Sequence, residues 1–156
     1  MRNIRIISVG ATRDSYIKDG CSIYQKRLKR YCRFSEEIVK EVGYSKKSMN
    51  ACHQEEEERL SKKLSPNHLT ILCDEKGKDL SSEELAGYFQ KWSNGGYSHF
   101  DFLIGGAYGV TPAIKKRADF VLRLSKMTFT HQMVRLVLIE QIYRSFTIIN
   151  GENYHH

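Results

Sequence analysis

This chain of 156 residues lacks the features that would place it in several common protein classes. No stretch approaches the roughly 20 apolar residues of a membrane span, and no basic segment followed by an apolar one opens the sequence. The cysteines form no CxxC motif and have no histidine at zinc-finger spacing. The sequence therefore predicts a cytoplasmic protein with reduced thiols and with neither a disulfide framework nor a metal site.

Two common nucleotide-binding motifs are also missing. There is no GxxxxGK[ST] phosphate loop, and the first predicted strand ends in the single Gly10, where a dinucleotide motif would need GxGxxG. The segment FDFLIGGAYGV, residues 100–110, instead carries glycines directly after a strand-like run. Such glycines often form a simple turn, but they also let a backbone approach a ligand where open α/β sheets bind one, at a strand's carboxyl end.

The net charge of +7 is concentrated near the start of the chain. Residues 1–33 contain nine Lys and Arg and two Asp, which accounts for the whole excess. Such a cluster could attract the phosphate backbone of RNA. It could equally stabilise a helix C-terminus and keep the protein soluble, and the sequence alone favours neither interpretation. Five of these cations lie close together: Lys26, Arg27, Lys29, Arg30 and Arg33.

Strand-like and helix-like patterns alternate along the chain, which predicts one α/β domain, residues 1–156, with parallel strand pairs. A polar loop is expected over residues 43–50 and a turn over residues 74–78. Strands are predicted at 4–9, 34–42, 69–73, 100–104 and 120–124. Helices are predicted at 15–31, over the charged stretch 55–63, at 82–92, after Thr111-Pro112, and from about 128–131 onward.

The last predicted helix is apolar on every side, since its apolar residues leave no wide polar face on a 3.6-residue wheel. Such a helix must be buried all round, so we expect the core on one side and a second copy of the chain on the other, as a homodimer. Glu140 and Arg144 have the spacing of an i,i+4 salt bridge. Arg135 could reach a phosphate or form a salt bridge across the interface.

The six residues before that helix, 124–129, combine backbone donors and acceptors, hydroxyl groups and apolar side chains. This mixture suits adenine, whose ring edge takes hydrogen bonds and whose faces take apolar contacts. The same segment could instead be a helix N-cap region, with Ser125 or Thr128 as the capping residue.

The motifs IGGAYG and LSKMTFTHQMVRLVLIEQIYR and the terminal Tyr154-His155 resemble the bacterial enzymes that methylate a pseudouridine of large-subunit ribosomal RNA. These enzymes belong to the SPOUT superfamily of knotted methyltransferases. The resemblance extends back through residues 72–78 to the opening strand and is weak only over 43–66. It implies a mostly parallel sheet flanked by helices, with a C-terminal deep trefoil knot over about residues 70–156, in a homodimer that binds S-adenosyl-L-methionine.

The resemblance also implies site residues. Tyr154 and His155 are expected near the methyl donor as the catalytic residues, His155 accepting a proton or clamping RNA and Tyr154 stacking on a base. His131 is a second candidate base, or else a helix cap. The family usually ends in Arg or Lys, where this chain has His156. The donor is expected to contact Cys73, where the family usually has Leu, together with Gly105, Leu124, Ser125, Lys126, Met127, Thr128 and Phe129.

By this resemblance the substrate is the N3 nitrogen of a pseudouridine in the helix-69 loop of 23S rRNA, on assembled ribosomes. The reaction needs no metal. Because the family carries no appended RNA-binding domain, the substrate surface should come from both subunits. Two alternatives stay open: a SPOUT methyltransferase acting on another RNA such as tRNA, and a ribosome-binding protein with no enzymatic activity.

Overall fold

The computed structural model describes residues 1–43 and 48–156. Part of the predicted loop 43–50 therefore lies outside the described residues. Strands and helices alternate through the rest, as the sequence predicts. They are β1 Arg2–Val9, α1 Ser15–Leu28, β2 Cys32–Val39, α2 Met49–Ser61, β3 Leu69–Asp79, α3 Ser82–Asn94, β4 His99–Ile104, α4 Pro112–Arg117, β5 Phe120–Arg123 and α5 His131–Ile149.

The strands form one sheet in the order β2-β1-β4-β3-β5, and every neighbouring pair is parallel. The predicted α/β class with a mostly parallel sheet is thus confirmed. Because all strands run the same way, their carboxyl ends meet at one edge, where open α/β sheets bind ligands.

Side chains alternate across the sheet, so helices cover both of its faces. On β1, Ile4 and Ile6 are buried against α1, α3 and α5, while Ile7 and Val9 are buried on the opposite face with α2 and α4. Strands buried on both faces read as nearly continuous apolar runs, which explains why β1 and β4 are recognisable in the sequence.

The turn predicted over residues 74–78 is wrong. Strand β3 continues to Asp79, and its pairing with β5 shifts register between Cys73 and Lys78. The polar residues in between form a bulge that stays within the strand. Gly77 permits this, because a Cβ there would lie 2.5 Å from the carbonyl carbon of Leu122.

Helix α5 packs between α1 and α3. Leu138, Ile139 and Ile142 are fully buried, and no residue of His131–Ile149 is exposed. The predicted burial of this helix on all sides is therefore provided largely by other elements of the same chain. Its first two turns are less covered, since Met133, Val134, Leu136 and Val137 are half-buried.

Candidate functional site

A cleft of about 1060 Å³ lies at the carboxyl edge of the sheet, where β3, β4 and β5 end. Its volume is at the upper end of the range typical of small-molecule sites. Its walls include the loops after β4 and after β5 and the bulge of β3. All eight residues predicted to contact the donor line this one cleft: Cys73, Gly105, Leu124, Ser125, Lys126, Met127, Thr128 and Phe129.

The bulge of β3 forms the first wall. The Asp74 carboxylate accepts a hydrogen bond from the backbone N–H of Lys76 (2.8 Å) and lies 3.4 Å from Nζ of Lys115 on α4. These contacts fix the bulge and occupy that carboxylate. Burial raises the pKa of the neighbouring Cys73 thiol to about 12, so this cysteine is a neutral, weakly polar contact surface.

The glycine-rich loop after β4 forms the second wall. The N–H of Gly109 donates to the carbonyl of Gly106 (3.0 Å), closing the loop on itself. A Cβ at Gly105 would lie 3.0 Å from the carbonyl carbon of Gly109, so the tight loop leaves little room for a side chain at that position. The conformation of the loop therefore accounts for a glycine at position 105 without any contact to a ligand.

The segment after β5 forms the third wall and leads into α5. The Ser125 hydroxyl accepts from the N–H of Met127 (2.9 Å), and the Met127 side chain is 78% exposed. The cap of α5 is Thr130, whose hydroxyl accepts from the N–H of Met133 (3.1 Å). The alternative interpretation, in which Ser125 or Thr128 caps the helix, is therefore wrong, since both precede the cap and line the cleft.

The loop between β1 and α1 supplies a fourth wall that the sequence did not point to. Asp14 and Tyr16 line the cleft, and Tyr16 is 60% exposed. The only available signal was position, because β1 lies beside β4 and its carboxyl end reaches the same edge of the sheet.

Two buried polar side chains in the first turns of α5 hold this loop. The Gln132 amide accepts from the N–H of Arg13 (2.8 Å) and donates to the carbonyl of Ala11 (3.0 Å). Arg135, only 2% exposed, donates to the Thr12 hydroxyl (2.9 Å) and to the carbonyl of Val9 (3.1 Å). Arg135 thus binds its own chain, which contradicts both expected roles, as a phosphate ligand or as an interface salt bridge.

The C-terminal tail folds back onto α5, away from the cleft. The Tyr154 hydroxyl donates to Glu140 (3.1 Å), its ring packs edge-on against Tyr143, and the Arg144 guanidinium lies 4.7 Å from the ring centroid. Burial, helped by the Tyr24 hydroxyl and Glu140, raises the pKa of Tyr154. The phenol is therefore neutral and firmly held.

His155 has a partner at each ring nitrogen. Its Nε2 lies 2.7 Å from Glu83 at the start of α3, and its Nδ1 lies 3.3 Å from Nη1 of Arg144. Because an arginine can only donate, Nδ1 accepts and Nε2 carries the proton. The hydrogen bond from His155 lowers the pKa of Glu83. Neither Tyr154 nor His155 lines the cleft of its own chain, whereas His131 does.

The basic cluster is partly engaged in holding the fold. Arg30 pairs with Glu152 of the tail (3.1 Å) and lies over the ring of Tyr31, while Arg27 lies over Tyr24 and Tyr143. The predicted salt bridge between Glu140 and Arg144 is confirmed at 2.6 Å.

Within residues 1–43 and 48–156, no group of three or more His, Cys, Asp or Glu could hold a metal ion. No helix of that same part is long and apolar enough to cross a membrane.

This chain is similar to known proteins both in sequence and in fold. A family model described as "Predicted SPOUT methyltransferase" matches residues 2–155. A protein of Haemophilus influenzae described as a probable methylase family protein has a similar fold, with a TM-score of 0.57 at 11% identity over 99% of this chain and 71% of that one.

Two curated relatives bear the name ribosomal RNA large subunit methyltransferase H. The one from Cytophaga hutchinsonii is 44% identical over 98% of this chain and 99% of its own length. The one from Acetivibrio thermocellus is 43% identical over 97% and 98% respectively. With a family model and these relatives matching it over nearly its whole length, the chain belongs to the SPOUT methyltransferase family.

Proposed function

We propose that this chain is an S-adenosyl-L-methionine-dependent enzyme that methylates N3 of a pseudouridine in the helix-69 loop of 23S rRNA. It acts in the cytoplasm on assembled ribosomes and as a homodimer, with the knotted C-terminal region that the family resemblance implies. The observation that carries the proposal is the single cleft in which all eight expected donor contacts meet. The names of the relatives support ribosomal RNA as the substrate class.

The residues of the cleft fit such a donor. Backbone groups of the segment 124–129 would supply hydrogen bonds for the adenine edge, while Leu124, Met127 and Phe129 would supply apolar contacts. Cys73 offers a neutral surface in place of the family's Leu. When bound, the donor supplies an electrophilic methyl group. The protein must then hold the target nitrogen in line with that methyl group, exclude water and take up the proton of N3.

The position of the tail supports a dimer. Arg144, which holds His155, lies 13 residues along α5 from His131 at the cleft, or roughly 20 Å at 1.5 Å per residue. The tail therefore lies away from the cleft of its own chain and is available to the cleft of a second copy. Exposed Tyr16, Met127 and Phe129 at the mouth of the cleft offer that second copy an apolar surface.

The decisive experiment measures transfer of labelled methyl groups to ribosomes from a strain that lacks this modification, beside free rRNA and tRNA. Label on the helix-69 pseudouridine, found only with ribosomes and mapped by mass spectrometry, is the expected result. Label only on another RNA would contradict the substrate. No label together with no donor binding by calorimetry would favour a ribosome-binding protein.

A mixed dimer tests whether the two subunits share a site. We expect His155→Ala to abolish activity by removing the tail imidazole, and Gly105→Val to abolish it by distorting the glycine loop that forms the second wall of the donor cleft. If one subunit supplies the tail and the other the cleft, mixing the two inactive variants should restore part of the activity. Full activity in a variant made monomeric at the interface would contradict the requirement for a dimer.

A further inference from the structure

Helices α2 and α4 cover only part of their face of the sheet. Toward the carboxyl ends of the strands they bury Ile7, Leu72 and Leu103. Toward the amino ends the same face carries polar side chains, because residues two apart on a strand share a face. The strand register places six of them side by side on three strands: Arg33, Ser35, Asn3, Arg5, His99 and Asp101. Together with His68, which precedes β3, they line a depression of about 220 Å³.

Two carboxylates lie in this area, and both are already bound. Asp101 is 1% exposed and accepts from Arg5 through both of its oxygens, at 3.0 and 2.7 Å. It also lies 3.0 Å from Nδ1 of His68, which therefore donates, since a carboxylate held in this way is ionised. Glu37 pairs with Arg5 (3.0 Å) and with Lys63 (2.6 Å). Neither carboxylate is therefore left to bind a cation.

The groups left over are hydrogen-bond donors. The Arg33 guanidinium is exposed and has no hydrogen-bond or ion-pair partner within residues 1–43 and 48–156. The rings of His68 and His99 are stacked with centroids 4.6 Å apart, and the Nδ1 of each is taken, by Asp101 and by the Ser98 hydroxyl (3.0 Å). The Nε2 of His99 donates when its Nδ1 accepts from Ser98. A guanidinium and two imidazoles with no free carboxylate beside them complement an anion with several oxygens.

We propose that this depression binds a phosphate group of ribosomal RNA, with Arg33, His68 and His99 as its donors. This inference rests on the proposed function and deepens it. The volume lies below the roughly 300–1,000 Å³ of sites for drug-sized ligands, so it suits a single small group. His68 donates from Nε2 once the ring takes up a second proton, and a bound phosphate favours that form.

The depression is separate from the donor cleft. Asn3 and Val9 lie six residues apart on β1, or roughly 20 Å at about 3.3 Å per residue, with the depression at one end of the strand and the edge of the cleft at the other. The phosphate therefore belongs to a different nucleotide from the one that is methylated. The depression also lies on the opposite face of the sheet from α5, so the second copy proposed at the cleft mouth would not cover it. This contact gives the enzyme a second hold on ribosomal RNA, away from the target base.

The first test removes the unpaired cation. Arg33→Ala should weaken binding to ribosomes about tenfold and lower the slope of log affinity against log salt concentration by about one, as loss of one phosphate contact does. KM for ribosomes should rise, while kcat, donor affinity and Tm stay unchanged, because Arg33 does not line the cleft. Lys29→Ala is the matched control, since it removes an exposed cation of the same basic cluster that does not line the depression; it should bind nearly as the wild type does. Equal effects of the two variants would assign the binding to diffuse charge and overturn the site.

Inorganic phosphate tests the depression directly. In protein isotopically labelled at histidine, phosphate should shift the side-chain NMR resonances of His68 and His99 and leave those of the other histidines in place. His99→Phe keeps the stacked ring but removes its donor, so phosphate should bind more weakly and ribosome affinity should fall. Phosphate binding with no effect of Arg33→Ala or His99→Phe on ribosomes would identify a small phosphate compound as the ligand and refute the contact with RNA. No shift at His68 or His99 would overturn the site itself.

The pH dependence tests His68. Affinity for ribosomes should fall as the pH rises from about 6 to about 8, because an imidazole loses its second proton over this range whereas a phosphodiester does not titrate. The fall should be smaller in His68→Gln, whose amide can still donate to Asp101. An equally steep fall in that variant would refute the role of His68 as a donor. The other charged or titratable groups that face this space are Arg5, Arg33, Glu37, Lys63, His99 and Asp101.

The two proposals fail in different ways. A wild type that binds ribosomes through Arg33 but transfers no methyl group would refute the proposed function and leave the contact with RNA standing. Full ribosome affinity in Arg33→Ala, beside normal methyl transfer by the wild type, would refute the phosphate site alone.

Discussion

Gly77 lies where the bulge of β3 passes against the backbone of β5. A Cβ at this position would meet the carbonyl carbon of Leu122 at 2.5 Å and the backbone nitrogen of Arg123 at 2.7 Å. These are main-chain atoms, which cannot rotate away as a side chain can. The first wall of the cleft therefore depends on the absence of a single methyl group.

We expect Gly77→Ala to lower the free energy of unfolding by about 1–3 kcal/mol or more, because it forces two paired strands apart. Equilibrium unfolding in urea measures this. Gly87→Ala is the control, since a Cβ at Gly87 on α3 meets nothing within 4 Å. That change should raise stability by up to about 1 kcal/mol through helix propensity. Equal effects at the two glycines would refute the steric explanation.

At the same scale, the contacts of the loop between β1 and α1 show which features the sequence could not predict. The donor segments 105–110 and 124–129 are recognisable because their residues are contiguous motifs. The loop that carries Asp14 is held by Gln132 and Arg135, 119 to 126 residues further along the chain. No local pattern records such a contact, so neither the fourth wall nor the partners of Arg135 could be predicted.

Helix α5 links the site to the core. Its first turn follows directly on the donor segment and is capped by Thr130, while its second half is buried between α1 and α3. The cap therefore fixes both where the helix begins and where the third wall of the cleft ends.

Replacing the cap tests that role. Thr130→Ala should lower stability by about 1 kcal/mol, because the N–H of Met133 loses its acceptor. Thr128→Ala removes a hydroxyl two residues earlier that makes no capping bond, and it should change stability by less than about 0.5 kcal/mol. Thermal unfolding of the two variants measures the difference. A larger loss at Thr128 would place the start of the helix two residues earlier.

Among the strands, β1 and β4 are predictable because they are rich in apolar residues, interrupted only by single polar ones. Strand β3 is predictable only as far as Cys73, since the polar run Asp74–Lys78 has the composition of a turn. Its strand conformation comes from pairing with β5, more than 40 residues later in the chain. Propensity describes the local preference of such a segment, and the distant partner overrides it.

The whole molecule should become less stable at alkaline pH. Burial raises the pKa of Cys21 to about 11 and that of Cys32 to about 12, against an ordinary value near 9. Above about pH 9 the unfolded chain loses these protons while the folded chain keeps them. The folded state then binds more protons, so the free energy of unfolding falls as pH rises, by up to about 1.4 kcal/mol per pH unit for each thiol.

Denaturant unfolding from about pH 8 to about pH 10.5 measures this slope. The double variant Cys21→Ala, Cys32→Ala should be less stable at neutral pH because it leaves small cavities. Its stability should nevertheless fall less steeply with pH. A slope as steep as that of the wild type would assign the alkaline loss to other groups, such as Tyr31, whose pKa burial raises to about 12.

The strand order β2-β1-β4-β3-β5 also determines which strands can pair while the chain is being translated. Strand β4 joins β1 to β3, so until residue 104 has left the ribosome exit tunnel the nascent chain holds two unconnected parts of a sheet. Until β4 and then β5 have been synthesised, the hydrogen-bonding edges of β3 have no neighbouring strand to pair with. The segments that complete the cleft follow β4 and β5, so a chain truncated before residue 120 lacks the third wall of the site.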